Sequence, residues 1–243
     1  MQKENSPLSF TDPFGEAIQD YLAGNINAEI IVECPLLEDD IIPVTYLFRE
    51  ENELPEIEKI ALEHCKGSVL DVGAGAGSHS LILQNKNFEV TALDISELAV
   101  DAMKKRGIKN ILKADIKTLT AHTYDTLLML MNGIGLVETL EGLNVFLLNI
   151  KHLLNPGGQI LLDSTDILYL FEEEDGSVMI DLNANYYGEM RYKMHYKQTI
   201  GNEFGWLYLD FSTLQDHAHQ AGFNCEKIFE NDTNSYLAKL SIL

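Results

Sequence analysis

Hydrophobic and polar positions along this chain fall into alternating strand-like and helix-like stretches. Val69 to Val72 is a short apolar run, and helical spacing follows over Ser78 to Gln84. Phe88 to Leu93 is a second run. A helix then runs from a Ser96 cap to Arg106, where Gly107 stops it behind the cations Lys104, Lys105 and Arg106. Asn110 to Ala114 gives a third strand. Thr126 to Met131 is unbroken apolar sequence, the pattern of a strand covered on both faces of a parallel sheet. A helix over Leu143 to Leu154, a turn at Asn155 to Gly158 and a strand over Gln159 to Leu162 complete the series. Repeated strand–helix units of this kind predict a doubly wound, mostly parallel α/β sheet.

The flanks follow other rhythms. Residues 1 to 11 read as flexible, and Asp12-Pro13 with Gly24 bounds a helix from Pro13 to Ala23. Glu29 to Glu33 and Ile41 to Phe48 read as strands or extended lid segments, and Pro55 opens a helix to about Cys65 with Gly67 as its cap. Aromatic residues in this stretch would either cover a pocket or pack as core. Between Val178 and Leu209 the α/β rhythm breaks. From Met190 to Lys197, apolar and cationic residues alternate strictly, which predicts an antiparallel strand with one buried and one cationic face. Turns at Asn183 to Asn185 and at Gly201-Asn202 make this a small inserted meander. A helix from Ser212 to Ala221 and strands over Cys225 to Phe229 and Tyr236 to Ile242 end the chain, with an antiparallel C-terminal strand in the sheet. The division expected is an N-terminal helical lid region over residues 1–66 and a main domain over residues 67–243, with the β insertion at about 177–210.

With 243 residues and 46% hydrophobic content, the chain can bury a sizeable core. A formal charge of −21 repels phosphate backbones and disfavours nucleic-acid binding, which leaves a small-molecule or protein substrate. No apolar run approaches the roughly 18 residues of a membrane span, and the start MQKENSPLSF lacks the apolar centre of a signal peptide. The expectation is therefore a cytoplasmic protein without membrane partners. Cys34, Cys65 and Cys225 are far apart and form no CxxC pair, so no metal site is expected. His217 and His219 diverge on one helix and do not change that. The acidic runs Glu50 to Glu58 and Glu172 to Asp175 read as solvated surface or helix starts.

The chemistry centres on Val69 to Ser80, VLDVGAGAGSHS. Gly73, Gly75 and Gly77 at every second position permit positive φ and a close ligand, and the next helix aims free N–H groups at it. A dinucleotide site asks for GxGxxG, but its third glycine is replaced here by Ser78. What stands is DxGxGxG from Asp71. Asp71, Asp94, Asp115 and Asn132 fall in succession at the ends of four predicted strands, the edge where open α/β sheets bind ligands.

These segments resemble the class I S-adenosylmethionine-dependent methyltransferases, a Rossmann-like fold, well from Gly67 to about Asp163 and more loosely beyond. VLDVGAGAGSHS is similar to their first motif, VTALDIS to the second, KADI to the adenine-contacting segment, YDTLLMLMNGIG to the fourth motif and LLNPGGQILLDS to the late helix–strand turn. The resemblance implies a cofactor site of Asp71, Gly73, Ala74, Gly75, Gly77, Asp94, Ile95, Asp115, Ile116, Met131 and Asn132. Within it Asp94 holds the ribose hydroxyls and Asp115 the adenine amino group, with Ile116 beside the ring. A carboxylate at a strand end suits two neighbouring hydroxyl donors. The methionine ammonium suits Asp71, directly or through water, and its carboxylate suits the glycine-turn N–H groups. The function implied is direct in-line methyl transfer to a small-molecule acceptor, with S-adenosylhomocysteine as product. A sulfonium already activates its methyl group, so alignment is the main requirement, worth roughly 7–11 kcal/mol in favourable model systems.

A base is needed only for a protonated acceptor. Candidates for that chemistry are His79, Asn132, Tyr186 and Tyr187, each with a structural alternative. The cationic face of Arg191, Lys193, His195 and Lys197 either pairs with nearby carboxylates or docks an anionic acceptor. A non-catalytic S-adenosylmethionine-binding protein, an NAD(P)-dependent oxidoreductase and, more distantly, aminopropyl transfer stay open. Oligomeric state is not legible.

Overall fold

The computed structural model describes residues 11–173, 175–179 and 185–243. The expected flexible start lies almost wholly outside them, as does most of the turn expected at Asn183 to Asn185. The chain begins with α1 (Pro13–Leu22), β1 (Glu29–Glu33), β2 (Asp40–Pro43) and α2 (Glu56–His64). Then come β3 (Ser68–Val72), α3 (Ser78–Asn85), β4 (Glu89–Asp94), α4 (Glu97–Lys105), β5 (Asn110–Lys113) and β6 (Tyr124–Met129). The rest comprises α5 (Leu140–Ile150), β7 (Leu154–Thr165), β8 (Glu189–Tyr196), β9 (Thr199–Ile200), β10 (Phe204–Leu207), α6 (Phe211–Gln220), β11 (Phe223–Glu230) and β12 (Ser235–Ile242).

Seven strands form the main sheet in the order β11-β12-β7-β6-β3-β4-β5. β3 to β7 run parallel, and β12 lies antiparallel between β7 and β11. This is the doubly wound sheet expected, antiparallel strand included. From β3 the chain steps outward to β4 and β5, then returns to the other side of β3 as β6. That reversal opens a crevice at the carboxyl ends of β3 and β6. The unbroken apolar runs are explained by two-sided cover: Leu70, Leu127, Leu128, Ile160 and Leu161 are fully buried. One face packs on α5 and α6 through residues such as Leu147 and Leu214, the other on α2 and α3 through Leu62 and Leu83. Full burial of one such side chain contributes about 1.5–3 kcal/mol.

The second sheet has the order β10-β8-β1-β2, with β9 paired to β8, so it draws strands from both the N-terminal stretch and the insertion. Ile31 pairs with His195 and Val32 with Met194. Its inner face rests on α1, where Ile18, Ile30 and Val44 are buried together with Ala99 of α4.

Local rules account for the helix ends. Asp12 caps α1 by accepting from Gly15 N–H (2.7 Å), Ser96 caps α4 through Ala99 N–H (2.9 Å), and Asp210 caps α6 through Thr213 N–H (2.9 Å). Several boundaries differ from expectation. Ile41 to Phe48 is not one strand, because after Pro43 the chain turns into a 3₁₀ segment, Val44–Phe48, that buries Val44 and Leu47. The Asn155 to Gly158 turn lies inside β7, which crosses it with a register shift against β6. The helix expected over Leu143 to Leu154 starts three residues earlier, where Thr139 caps it, and closes as a 3₁₀ turn, Lys151–Leu153. Glu58 is not solvated surface. It is 3% exposed.

Candidate functional site

The glycine turn leaves β3 with Gly73, Gly75 and Gly77 at φ +71°, +55° and +81°. A side chain at Gly73 would meet nothing within 4 Å, so this turn faces open space at the crevice. Gly77 is constrained differently, since a Cβ there would fall 2.2 Å from Ile108 Cδ1. Ala74 N–H donates to Leu93 O (2.9 Å) and Gly75 N–H to Asp94 Oδ2 (2.8 Å), which ties the turn to the end of β4. Asp94 Oδ1 accepts Ser96 N–H (2.8 Å). Each carboxylate oxygen keeps acceptor capacity beyond that one bond. Burial pushes the Asp94 pKa up, against these backbone bonds. Ile95 beside it is 57% exposed, an apolar side chain with no cover.

Asp115 lies two residues beyond β5, exposed, accepting Lys117 N–H at 2.8 Å, with Ile116 buried next to it. Past β6, Met131 and Asn132 both adopt left-handed φ, +61° and +55°, and Met131 is 39% exposed. Asn132 is fully engaged: its N–H donates to Asp163 Oδ1 (2.8 Å), its Nδ2 to Leu207 O (3.1 Å), and its Oδ1 accepts Ser164 Oγ (2.8 Å). Its amide therefore fastens β10 to β7 and is committed to structure.

Asp71 does not stand at the open edge. It is 3% exposed, accepts Ser80 Oγ at 2.6 Å, and has its pKa raised by burial, with the charge of His79 opposing. His79 bonds Glu58 Oε2 through Nε2 at 2.7 Å. Burial disfavours the imidazolium, but its bond to Glu58 and the field of Asp71 outweigh it, and the His79 pKa is raised. Burial likewise opposes ionisation of Glu58, yet His79 and Arg49 hold its pKa below the ordinary value. Arg49 Nη2 donates to both Glu58 oxygens (2.8 and 2.9 Å), and its Nε donates to Tyr46 O (2.8 Å). The guanidinium lies 3.5 Å from the centre of the Tyr46 ring. Arg49 Nη1 is buried with no partner. Ser78 Oγ donates to Leu47 O at 2.7 Å, so this segment lies against the residue that follows Gly77. Asp163, 8% exposed on β7, has its pKa pushed up to about 7 by burial.

Tyr186 donates to Asp210 Oδ2 (2.7 Å) and Tyr187 to Asp166 Oδ1 (2.8 Å), their ring centres 4.5 Å apart. All four cations of the alternating strand have carboxylate partners. Arg191 meets Glu203 (2.7 Å), His195 and Lys193 meet Glu33 (2.8 and 3.8 Å), and Lys197 meets Asp20 (2.8 Å). Among the described residues no group of three His, Cys, Asp or Glu could hold a metal ion, and no helix is long and apolar enough to cross a membrane.

The family described as "Methyltransferase domain" matches residues 69–158, the stretch from β3 to the bend in β7. A crystal structure of an S-adenosylmethionine-dependent methyltransferase from Bacteroides fragilis, in complex with S-adenosyl-L-homocysteine, superposes with a TM-score of 0.90. It is 43% identical, and the match covers 96% of this chain and 95% of that one. The chain belongs to the class I S-adenosylmethionine-dependent methyltransferases. Its cofactor is S-adenosylmethionine, and the dinucleotide alternative falls away. Two curated methyltransferases are similar over shorter stretches. A cypemycin N-terminal methyltransferase from a Streptomyces species is 33% identical over 103 residues, 41% of this chain and 42% of that protein. A ubiquinone biosynthesis O-methyltransferase from Rickettsia conorii is 28% identical over 149 residues, 59% of this chain and 49% of that protein. The chain thus spans less than half the length of the curated relatives it matches.

Sequence reasoning missed Arg49, Glu58 and Asp163. Glu58 carried a signal: it sits four residues from both Leu54 and Leu62, on the apolar stripe of α2, where a solvated carboxylate does not belong. Arg49 carried none, because its carboxylate partner Glu58 comes from α2.

Proposed function

We propose that this chain transfers a methyl group from S-adenosylmethionine to a small organic acceptor and releases S-adenosylhomocysteine. The observation that carries this reading is the buried, unpartnered Arg49 Nη1, in a cluster that Glu58–His79 and Leu47–Ser78 bonds tie to the helix start behind the glycine turn. A buried donor without a partner costs about 1–3 kcal/mol, more when charged, so the site is built to receive an anion. The carboxylate of the cofactor's methionine end is that anion, in place of the glycine-turn N–H groups expected from sequence. Asp94 takes the two ribose hydroxyls on its remaining lone pairs. Asp115 takes the adenine amino group, with Ile95 and Ile116 against the ring. Asp71, sealed behind Ser80, acts through its field and not by contact.

When bound, the cofactor supplies an activated methyl group on sulfur. The protein's part is alignment: Met131 and Asn132, held in left-handed conformations by the bonds around Asn132, shape the edge where the acceptor meets the methyl group. His79, locked to Glu58, is a positioning residue for Arg49. By their names one curated relative acts at an N-terminus and the other on oxygen, so they leave the acceptor atom to the site itself. The buried free thiols Cys34, Cys65 and Cys225 suit a reducing, cytoplasmic setting.

The test pairs binding with turnover. Calorimetry should show S-adenosylmethionine and S-adenosylhomocysteine binding that Asp94→Ala abolishes. Methyl-labelled cofactor incubated with a small-molecule extract should then pass label to new molecules. Binding without any transfer would mark a non-catalytic binding protein.

A further inference from the structure

The small sheet has two faces of opposite character, because side chains alternate along each strand. On β8, Arg191, Lys193 and His195 point outward, and Met190, Tyr192 and Met194 point inward. The outward cations are paired with the carboxylates named above. The inner face is aromatic. Phe204 lies across from Tyr192, with ring centres 6.2 Å apart, Tyr208 is 6.5 Å from Tyr192, and Trp206 is 6.1 Å from Phe204. Tyr187 packs with Tyr192 and Tyr208 around Cys34 and Met190. All five rings remain partly exposed.

Two contacts fix this face above the methyl-transfer edge. Trp206 lies so close to Gly135 that a Cβ there would be 2.2 Å from its Nε1, and Gly135 is three residues past Asn132. The Asn132 amide in turn donates to Leu207 O. One carboxylate is left with spare capacity beside the rings. Asp166 Oδ1 accepts Leu168 N–H (2.9 Å) and the Tyr187 hydroxyl, while its Oδ2 has no partner among the described residues.

We propose that this aromatic inner face is the acceptor site and that the acceptor is an amine, received as its ammonium by the faces of Tyr187, Tyr192 and Trp206 and by Asp166 Oδ2. This rests on the methyl-transfer reading above. Ring faces attract organic cations, most strongly where water is excluded, and a chain of charge −21 concentrates cations at its clefts. The phenols serve as donors and ring faces, not as bases: burial pushes Tyr186 up to about 12 and raises Tyr187, Tyr192 and Tyr208 as well. An amine needs no base among them, since its ammonium loses one proton to water before reaction. The freed nitrogen lone pair then forms the N–CH3 bond as the C–S bond breaks. The C–S electron pair stays on sulfur.

Trp206 is the only tryptophan, so its fluorescence reports on this face alone. The probes are choline, its uncharged isostere 3,3-dimethylbutan-1-ol, and 3,3-dimethylbutanoate, each titrated into the full chain saturated with S-adenosylhomocysteine. Choline should change the Trp206 signal at a concentration about tenfold or more below that needed for the alcohol, and the anion should give no response. Asp166→Asn, which keeps the Leu168 and Tyr187 bonds, should weaken choline alone by about tenfold and leave S-adenosylhomocysteine affinity unchanged. An equal response to the alcohol, a stronger response to the anion, or no response to any probe overturns the proposal. Calorimetry of S-adenosylhomocysteine on the same samples separates that outcome from failure of the cofactor reading.

Discussion

Replacing Arg49 by methionine removes the guanidinium but keeps an unbranched apolar stem over Tyr46. If Arg49 Nη1 holds the cofactor's carboxylate, the loss should equal one charge-assisted hydrogen bond, about 1.5–3 kcal/mol. That corresponds to a rise in Kd for S-adenosylhomocysteine of roughly 10- to 150-fold. 5′-Methylthioadenosine has the adenosine and a sulfur but no amino-acid end, so its Kd should change by no more than about twofold, under 0.5 kcal/mol. The comparison also controls for collateral damage. Glu58 keeps its bond from His79 in the variant, and a thermal melt confirms that the protein is folded. Arg49→Lys should fall between, because one ammonium cannot span Glu58 and the ligand as a planar fork does. Equal weakening of both ligands would mean that Arg49 only supports the fold. No weakening of either would remove the carboxylate clamp altogether.

Other perturbations follow from the same geometry. Glu58→Leu leaves Arg49 and His79 as two buried cations without their shared carboxylate and should cost about 3–5 kcal/mol in urea unfolding. Linkage sets the pH window of that cluster. Glu58, its pKa lowered on folding, adds stability that is present above its unfolded value and lost as pH falls through the folded one. His79, its pKa raised on folding, adds stability that is full below its unfolded value and lost as pH rises through the folded one. His79→Gln should therefore flatten the alkaline limb of a stability–pH curve and leave an acid limb. Gly77→Ala forces φ +81° on a residue with a Cβ and drives that Cβ to 2.2 Å from Ile108 Cδ1. It should cost about 2 kcal/mol or more in a thermal melt, whereas a Cβ at Gly73 meets no atom and would reveal itself in cofactor affinity. Asn132→Ala should lower kcat by about tenfold or more with little change in S-adenosylhomocysteine affinity, since it loosens the β6–β10 link without touching Asp94 or Arg49.

The main sheet was legible because its signals are local. Two-sided burial writes itself as an unbroken apolar run in β6, and the caps at Asp12 and Ser96 obey rules that span three residues. The glycine turn was legible for the same reason: one strand, three glycines and one helix start fall within a dozen positions. The burial of single carboxylates was not legible in the same way. Asp71 reads like a strand-end ligand, yet it lies one residue inside β3 and is closed off by Ser80, while Glu58 was hidden in a run of surface acids. The alternating strand was read correctly as two-faced. Only the folded chain shows that it pairs with β1, with Glu33 opposite Lys193.

The division runs through function too. Every protein in this family meets the same adenosine, so the groups proposed to hold it sit at fixed offsets from one turn, and sequence spacing finds them. The acceptor side proposed above would draw on Asp166 after β7 and on the stretch from Tyr187 to β10, segments that meet only after folding. Asn132 is the joint between the two. Its backbone N–H reaches the buried Asp163 of the main sheet and its side chain holds β10 and Ser164, so the aromatic face cannot shift without disturbing the loop after β6. On the proposed reading, a single asparagine with no free polar atom would couple acceptor shape to transfer geometry. For that reason substitutions along β8 and β10 should change which acceptor is used while leaving cofactor affinity intact.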